Sequence, residues 1–419
     1  MRLVRSSVLW AACVCTVFGA DGIPLSEYKS RREALHKSAG QAVVILIGAR
    51  EGDNGELRTG FFQDADFYYL TGWKEPGAML VMTPGSDVLL VPKKNPEKER
   101  WTGAKLAPGD PNVAAVTGFD AVLPSESFES RLPQWIESAS KVYTLTKEPA
   151  AESLKKLLPL RELTDAAPLI AKQRMVKSAA EVAAIQRSTD ATLEAHRAAW
   201  RTTKPGIGEY VIAGVLMGSY FSRGCERNAY APIIGSGPNA TVLHYSQNSR
   251  TVDQGELVLM DAAAECAMYA SDVTRTIPAS GKFSARQREI YDIVLGAQNA
   301  VIAAIKPGMT FRGPNGLTEI AKHYIDTHGK DLHGATLGKY FTHGVSHHVG
   351  LDVHDAMDPA APLAENMVIT VEPGIYIPEE GIGVRIEDMV LLTANGSKVL
   401  SAALPRDADE IEKALAAAH

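Results

Sequence analysis

Cysteine is scarce, with four in 419 residues, too few for a small scaffold held together by disulfides. A basic excess is missing too. Lys and Arg number 43 against 49 Asp and Glu, for a formal charge of −6. No cation surplus exists to neutralise phosphates, which excludes a nucleic-acid partner. Low-complexity segments and short-period repeats are absent. Charged residues make up 22% and hydrophobic residues 45%, which argues against a disordered chain, a fibre or a polytopic membrane protein. What is present suits a soluble chain of two or three domains. The 35 glycines and 23 prolines imply many turns rather than an all-helical bundle.

The first residues read as a leader. Arg2 and Arg5 precede a mostly apolar, uncharged stretch from Ser6 to Ala20, closed by Asp21. That pattern is a signal peptide, too short to span a bilayer. Val17-Phe18-Gly19 favours cleavage after Gly19, whereas a cut after Ala20 leaves Phe18 at the −3 position. The expectation is an exported protein, periplasmic or secreted, with no membrane association once processed. Loss of two arginines takes the charge from −6 to −8 and leaves Cys225 and Cys266. Those two either pair or remain as buried thiols.

From about residue 40 to 145, apolar runs at Ala42–Ile47, Ala78–Met82, Val88–Val91 and Val142–Leu145 alternate with turn signals. They read as buried strands. Leu25–Ser38 and Ser127–Ser138 read as helices between them, giving an α/β domain with a mixed sheet. Residues 150–173, followed by Arg174 and Lys177, have the composition of a linker. A long amphipathic helix is then expected over Ser178–Thr202, with Val182, Ile185, Thr189 and Leu193 on one stripe. Further helices (Gly208–Phe221, Ala285–Ile305, Leu317–His328) alternate with strands that carry acids.

Those acids carry the chemistry. Asp261 closes the run Leu257-Val258-Leu259-Met260, and Asp272 follows Tyr269-Ala270-Ser271. A hairpin centred on Cys266–Ala267 would oppose them on one face, Cβ atoms about 5 Å apart. Cys-Ala is a poor hairpin turn, and two solvated strand acids are the plain alternative. Glu372 and Glu387 repeat the arrangement around Glu379–Glu380, with Pro373 distorting the strand just after Glu372. Between His343 and His354 lie four of the eleven histidines, on a glycine-rich segment suited to ligand or acid–base duty. Arg385 shares the face of Glu387 and is placed to pair with one of the acids. Four carboxylates balance two divalent cations, and an imidazole completes a dinuclear site rich in hard oxygen donors. Such donors suit manganese or magnesium, with cobalt and zinc as alternatives. A metal pair of this kind would hold a bridging water as hydroxide and clamp a substrate oxygen. The residues alone therefore point to dinuclear metal hydrolysis.

The set Asp261, Asp272, His347, Glu372 and Glu387 resembles the ligand signature of the pita-bread metallopeptidases, which include methionine aminopeptidase, prolidase and aminopeptidase P. His343–Asp355, Thr370–Ile377, Gly383–Met389, Tyr230–Gly237 and Leu243-His244-Tyr245 match in local sequence. Gly60–Gly72 resembles the N-terminal domain of bacterial aminopeptidase P. After the leader read over 1–20, the resemblance implies an N-terminal α/β domain over 21–165 and a pseudo-two-fold pita-bread domain over 166–419. It implies that Asp261 binds one metal, His347 and Glu372 the other, and that Asp272 and Glu387 bridge both. Glu372 would also move the proton from water to the leaving prolyl nitrogen. His354 and His244 would contact the substrate carbonyl, Arg385 and Tyr376 would shape the prolyl side, and His343 lies near the metals. It further implies Mn²⁺ and a homo-oligomer, dimer or tetramer, acting on peptides with proline second. His348 departs from the bulky aromatic residue often found at its position. Prolidase is the rival activity, and a non-catalytic peptide-binding module on the same fold is the rival of another class. No second arginine stands beside the motifs to close a carboxylate pocket, which favours the aminopeptidase.

Overall fold

The computed structural model describes residues 22–52 and 60–417; the expected leader lies outside them. The N-terminal part is a six-stranded mixed sheet. Its strands are β1 (Val43–Ile47), β2 (Met79–Thr83), β3 (Ser86–Val91), β4 (Ala121–Pro124), β5 (Val142–Thr144) and β6 (Leu163–Asp165). The order is β4-β3-β2-β1-β5-β6. Antiparallel ladders join β1 to β2 and β2 to β3, while β3–β4, β1–β5 and β5–β6 are parallel. The interior strands are continuous apolar runs because helices cover the sheet. Leu25–Ala39 and Ala65–Thr71 pack on one face, and Phe128–Ile136 and Ala150–Leu157 contribute to the cluster on the other.

Residues 150–173 are not a linker. They form the helix Ala150–Leu157, the edge strand β6 and most of the helix Ala167–Arg174. Arg174 and Lys177 are both buried, held by acids that arrive from distant segments. The long helix runs Ala179–Thr202 and opens with a reciprocal cap: the Glu181 amide donates to Ser178 Oγ, and the Ser178 amide donates back to Glu181. Such a box satisfies two of the donors that a helix start leaves open. Ile185, Thr189 and Leu193 of the expected stripe are buried.

The C-terminal part contains small antiparallel sheets. β7 (Arg227–Asn228), β10 (Ala264–Cys266) and β11 (Tyr269–Ala270) form one; β8 (Ile233–Ser236), β9 (Leu257–Asp261) and β12 (Thr274–Pro278) form another. β13 (Val368–Val371), β16 (Asp388–Thr393) and β17 (Gly396–Val399) form a third, and β14 (Gly374–Ile377) pairs with β15 (Ile382–Arg385). The backbone bridge Thr274–Glu387 joins the two acid-bearing halves.

The second hairpin has the expected register, with Val371 opposite Asp388 and Gly374 opposite Arg385. The first is displaced by two residues. Asp261 faces Thr274, and the turn lies at Ala267–Met268. Both turn residues have positive φ, 53° and 73°, as a two-residue hairpin turn of the primed kind requires. An even displacement preserves the face. Cys266, just before this turn, forms a disulfide with Cys225. Among the described residues, no helix is long and apolar enough to cross a membrane.

Candidate metal centre

Each acid sits where a ladder ends or breaks. Asp261 is the last residue of β9, and Asp272 lies in the short irregular stretch between β11 and β12. Glu372 follows β13, where Pro373 has no N–H to continue the ladder, and Glu387 precedes β16. Their backbone is held from behind. Gln298 Nε2 lies 3.0 Å from the Val371 carbonyl and 3.1 Å from that of Ile386. Arg275 Nη1 donates to the Glu387 carbonyl at 2.6 Å, and its Nη2 to the wholly buried Asp388 at 2.7 Å.

The acids converge on the floor of a cleft of about 540 Å³. Asp272, His347 and Glu387 each present a ligand atom within 4.8 Å of the others. His347 Nε2 is 3.3 Å from Asp272 and 3.4 Å from Glu372. His347 Nδ1 lies 3.0 Å from the His348 carbonyl. Donation there fixes the tautomer that leaves the Nε2 lone pair facing the acids, as a metal ligand requires. Tyr230 places its hydroxyl 2.5 Å from Asp261 and 2.6 Å from Asp272. One phenolic proton cannot serve both carboxylates. Thr274 donates to Glu387 at 2.7 Å, and Thr370 to Glu372 at 3.3 Å.

Three buried carboxylates and the partly buried Glu372 lie around the Arg385 guanidinium, whose Nη2 is on Asp261 at 2.6 Å. Burial, then the neighbouring Asp272, Glu372 and Asp261, raise Glu387 well above the usual carboxylate range. Burial and Asp272 push Glu372 up to about 7 against the pull of His347. Burial opposes charge on His347, yet Asp272 and Glu372 outweigh it and lift the imidazole to about 9. Unrelieved negative charge around an oriented imidazole is the donor set of a divalent-cation site. The residues present fit such a group.

The remaining expected residues frame this floor. Burial, then the Arg385 charge, lower His343 to about 4; burial, then His347, also lower His354. The rings of His347 and His354 are 4.2 Å apart. His244 is exposed on the cleft wall. Tyr376 is buried behind the wall and joins two groups: it accepts from Arg385 at 2.8 Å, and its hydroxyl lies 2.8 Å from His343 Nε2. His343 Nδ1 lies 2.8 Å from the Gly344 carbonyl, so Nε2 is left to accept from Tyr376. His348 does not enter the floor. It is buried against Phe311, with Nδ1 unpartnered.

Four residues escaped the sequence reading. Thr274 and Thr370 stand two positions from Asp272 and Glu372, and the same-face rule points to both. Tyr230 carried no signal beyond its place in a matching segment. Arg312, far upstream of the histidine segment and not beside any of the motifs, also lines the cleft.

The model of metallopeptidase family M24 matches residues 183–394, and that of the aminopeptidase P N-terminal domain matches residues 28–143. The chain belongs to metallopeptidase family M24. It is 34% identical to the Xaa-Pro aminopeptidase of Haemophilus influenzae, over 93% of this chain and 97% of that one. It is 32% identical to human Xaa-Pro aminopeptidase 3, over 94% of this chain and 86% of the relative. The solved structure of Pseudomonas aeruginosa aminopeptidase PepP superposes with a TM-score of 0.87 at 33% identity, covering 94% and 99% of the two chains. Aminopeptidase P from E. coli with the inhibitor Pro-Leu gives 0.85 at 29% identity, with the same coverage. Membership implies a divalent metal, and the cluster just described is its candidate site.

Proposed function

We propose that this chain is an exported Xaa-Pro aminopeptidase, a metallo-exopeptidase that releases the first residue of peptides with proline second. The observation that carries this reading is the convergence of Asp272, Glu372 and Glu387 on the oriented Nε2 of His347, with Asp261 tied to Asp272 through the Tyr230 hydroxyl. It does so in a chain that aligns over nearly its whole length with Xaa-Pro aminopeptidases. These five residues would hold two divalent ions, Mn²⁺ foremost and Co²⁺ or Zn²⁺ as alternatives. When bound, such ions supply Lewis acidity and an acidified water.

The chain's own groups do the rest. Glu372, beside His347 on the cleft, accepts a proton at its carboxylate and returns it to the prolyl nitrogen as the amide bond breaks. His354, whose proton affinity burial lowers, donates to the substrate carbonyl, as does His244 from the cleft wall. The chain of hydrogen bonds from Arg385 through Tyr376 to His343 fixes the wall on the prolyl side. We place the protein in a homo-oligomer on the strength of its family.

Export rests on the leader-like N-terminus, and the Cys225–Cys266 disulfide supports it, since such bonds persist in oxidising compartments. Intact mass of protein from its native host should give a first residue near Ala20 or Asp21; a product starting at Met1 refutes export. Activity is tested by comparing kcat/KM for Xaa-Pro-Zaa, Xaa-Ala-Zaa and Xaa-Pro. The proline tripeptide should be cut after Xaa and the alanine one poorly. Cleavage confined to the dipeptide would make the protein a prolidase.

A further inference from the structure

The cleft contains a cation that the metal chemistry does not use. We propose that Arg312 is a specificity-determining residue that receives a carboxylate of a short peptide on the prolyl side. The inference deepens the peptidase reading and rests on it.

Arg312 lies in the loop between the helices Ala285–Ala304 and Leu317–His328, and its backbone there is fixed. Thr310 Oγ1 donates to the Arg312 carbonyl at 2.7 Å, and the amides of Leu317 and Thr318 close the loop onto Thr310 and Phe311 at 3.0 Å each. A Cβ at Gly316 would fall 2.6 Å from the Arg312 carbonyl carbon, so only glycine lets the chain turn this tightly around it. The side chain extends into the cleft beside Gly344, where a Cβ would stand 3.8 Å from Arg312 Nη2. Gly344 adjoins His343, whose Nε2 is tied to Tyr376. Arg312 is thus on the wall assigned to the prolyl side.

Charge accounting gives the ligand its sign. Arg385 is engaged by Asp261 and Tyr376. The four floor acids would be matched by two divalent ions. The Arg312 guanidinium has no hydrogen-bond or ion-pair partner among the described residues, so it is left as an uncompensated positive charge facing the cleft. A guanidinium presents a fork that matches a carboxylate. Its position favours a particular peptide length. Arg312 is exposed, at the mouth of the cleft rather than at a closed end, and each added residue moves a terminal carboxylate outward by about 3.5 Å. The carboxylate after Zaa in Xaa-Pro-Zaa suits it better than the one directly after proline.

The test uses the metal-loaded enzyme, wild type, R312K and R312Q. The substrates are an Xaa-Pro-Zaa tripeptide as free acid, the same tripeptide as C-terminal amide, and an amide with Asp at Zaa. Wild type should prefer the free acid by about ten-fold, mainly through KM, and the preference should shrink as salt rises. R312Q should bring the acid-to-amide ratio within about two-fold, and R312K should fall between. Recovery of the preference by the Asp amide would extend the recognition to side-chain carboxylates; no recovery would confine it to the C-terminus. An acid-to-amide ratio unchanged in R312Q overturns the proposal. Wild-type enzyme that cuts neither tripeptide overturns the peptidase reading itself, a separate result because the amide offers Arg312 no terminal charge.

Discussion

Arg174 Nη2 and Asp355 Oδ1 lie 2.5 Å apart in a buried ion pair between residues 181 positions apart in the chain. Lys177 Nζ reaches the other oxygen of Asp355 at 2.8 Å, and Arg174 Nη1 reaches Asp66 of the N-terminal part at 2.6 Å. The Asp355 amide donates to the His348 carbonyl at 3.0 Å. The segment carrying His347, His348 and His354 is therefore folded around Asp355. Gly350 is required within it, because a Cβ there would fall 2.3 Å from Asp355 Oδ2.

Removal of the guanidinium should be costly. Arg174→Met leaves Asp355, whose side chain is 1% exposed, buried with half its compensation gone, a change that costs about 3–5 kcal/mol. Asp352 also pairs with Arg174, but its side chain is 54% exposed. Asp352→Asn should cost about 1 kcal/mol or less. Urea denaturation of both variants checks the contrast, and equal losses would contradict it.

Metal dependence can be probed at Asp272 and Tyr230. A chelator should abolish activity, and Mn²⁺ should restore it best. Asp272→Asn should lower metal content and activity by at least ~100-fold, since it removes a ligand at the centre of the cluster. Tyr230→Phe should lower either quantity by about 10–100-fold, the usual effect of losing a partner of the ligands. Elemental analysis alongside the peptide assay separates the two. Full activity of Asp272→Asn in metal-free buffer would end the metallopeptidase reading for this cluster.

The second hairpin was legible in the sequence because strand alternation set Glu372 against Glu387, even with Pro373 distorting the strand beside them. The first hairpin was placed two residues off. Its turn uses Ala267 and Met268 at positive φ, and neither residue type advertises that conformation. The face survived, so Asp261 and Asp272 still line one cleft. Residues 150–173 lack a clean period, and with Arg174 and Lys177 they read as a linker. The burial of Arg174 and Lys177 depends on Asp66, Asp352 and Asp355, which only the tertiary fold brings together. Arg312 had no signal at all beyond a charge among glycines and a proline.

The disulfide closes a loop of 41 residues and anchors the strained turn at Ala267–Met268. Chain-entropy arguments put its contribution at about 4 kcal/mol. Cys225→Ser with Cys266→Ser should lower the thermal midpoint, and unreduced protein lacking the leader, and so Cys13 and Cys15, should resist thiol alkylation. An alkylated, equally stable wild type would mean that the thiols are free.

His196 should set part of the acid limit of stability. Its ring is fully buried, with Nε2 3.0 Å from the Ala262 carbonyl and Nδ1 without a partner. Donation from Nε2–H fixes the neutral tautomer. A proton on Nδ1 would place a charge in an apolar setting near Arg275. Burial first, and then Arg275, hold the imidazole down to about 4, whereas an unfolded chain protonates it near about 6.5. Between those values the unfolded state binds more protons than the folded one, so stability falls as pH drops through that window. The contribution is fully present above about pH 6.5, is lost progressively toward pH 4, and amounts to about 3 kcal/mol. His196→Gln retains a donor for Ala262 and removes the titration. Unfolding free energies of both proteins, stripped of metal and measured from pH 7 to pH 4.5, should show a shallower decline for the variant. Parallel curves would place the acid sensitivity elsewhere.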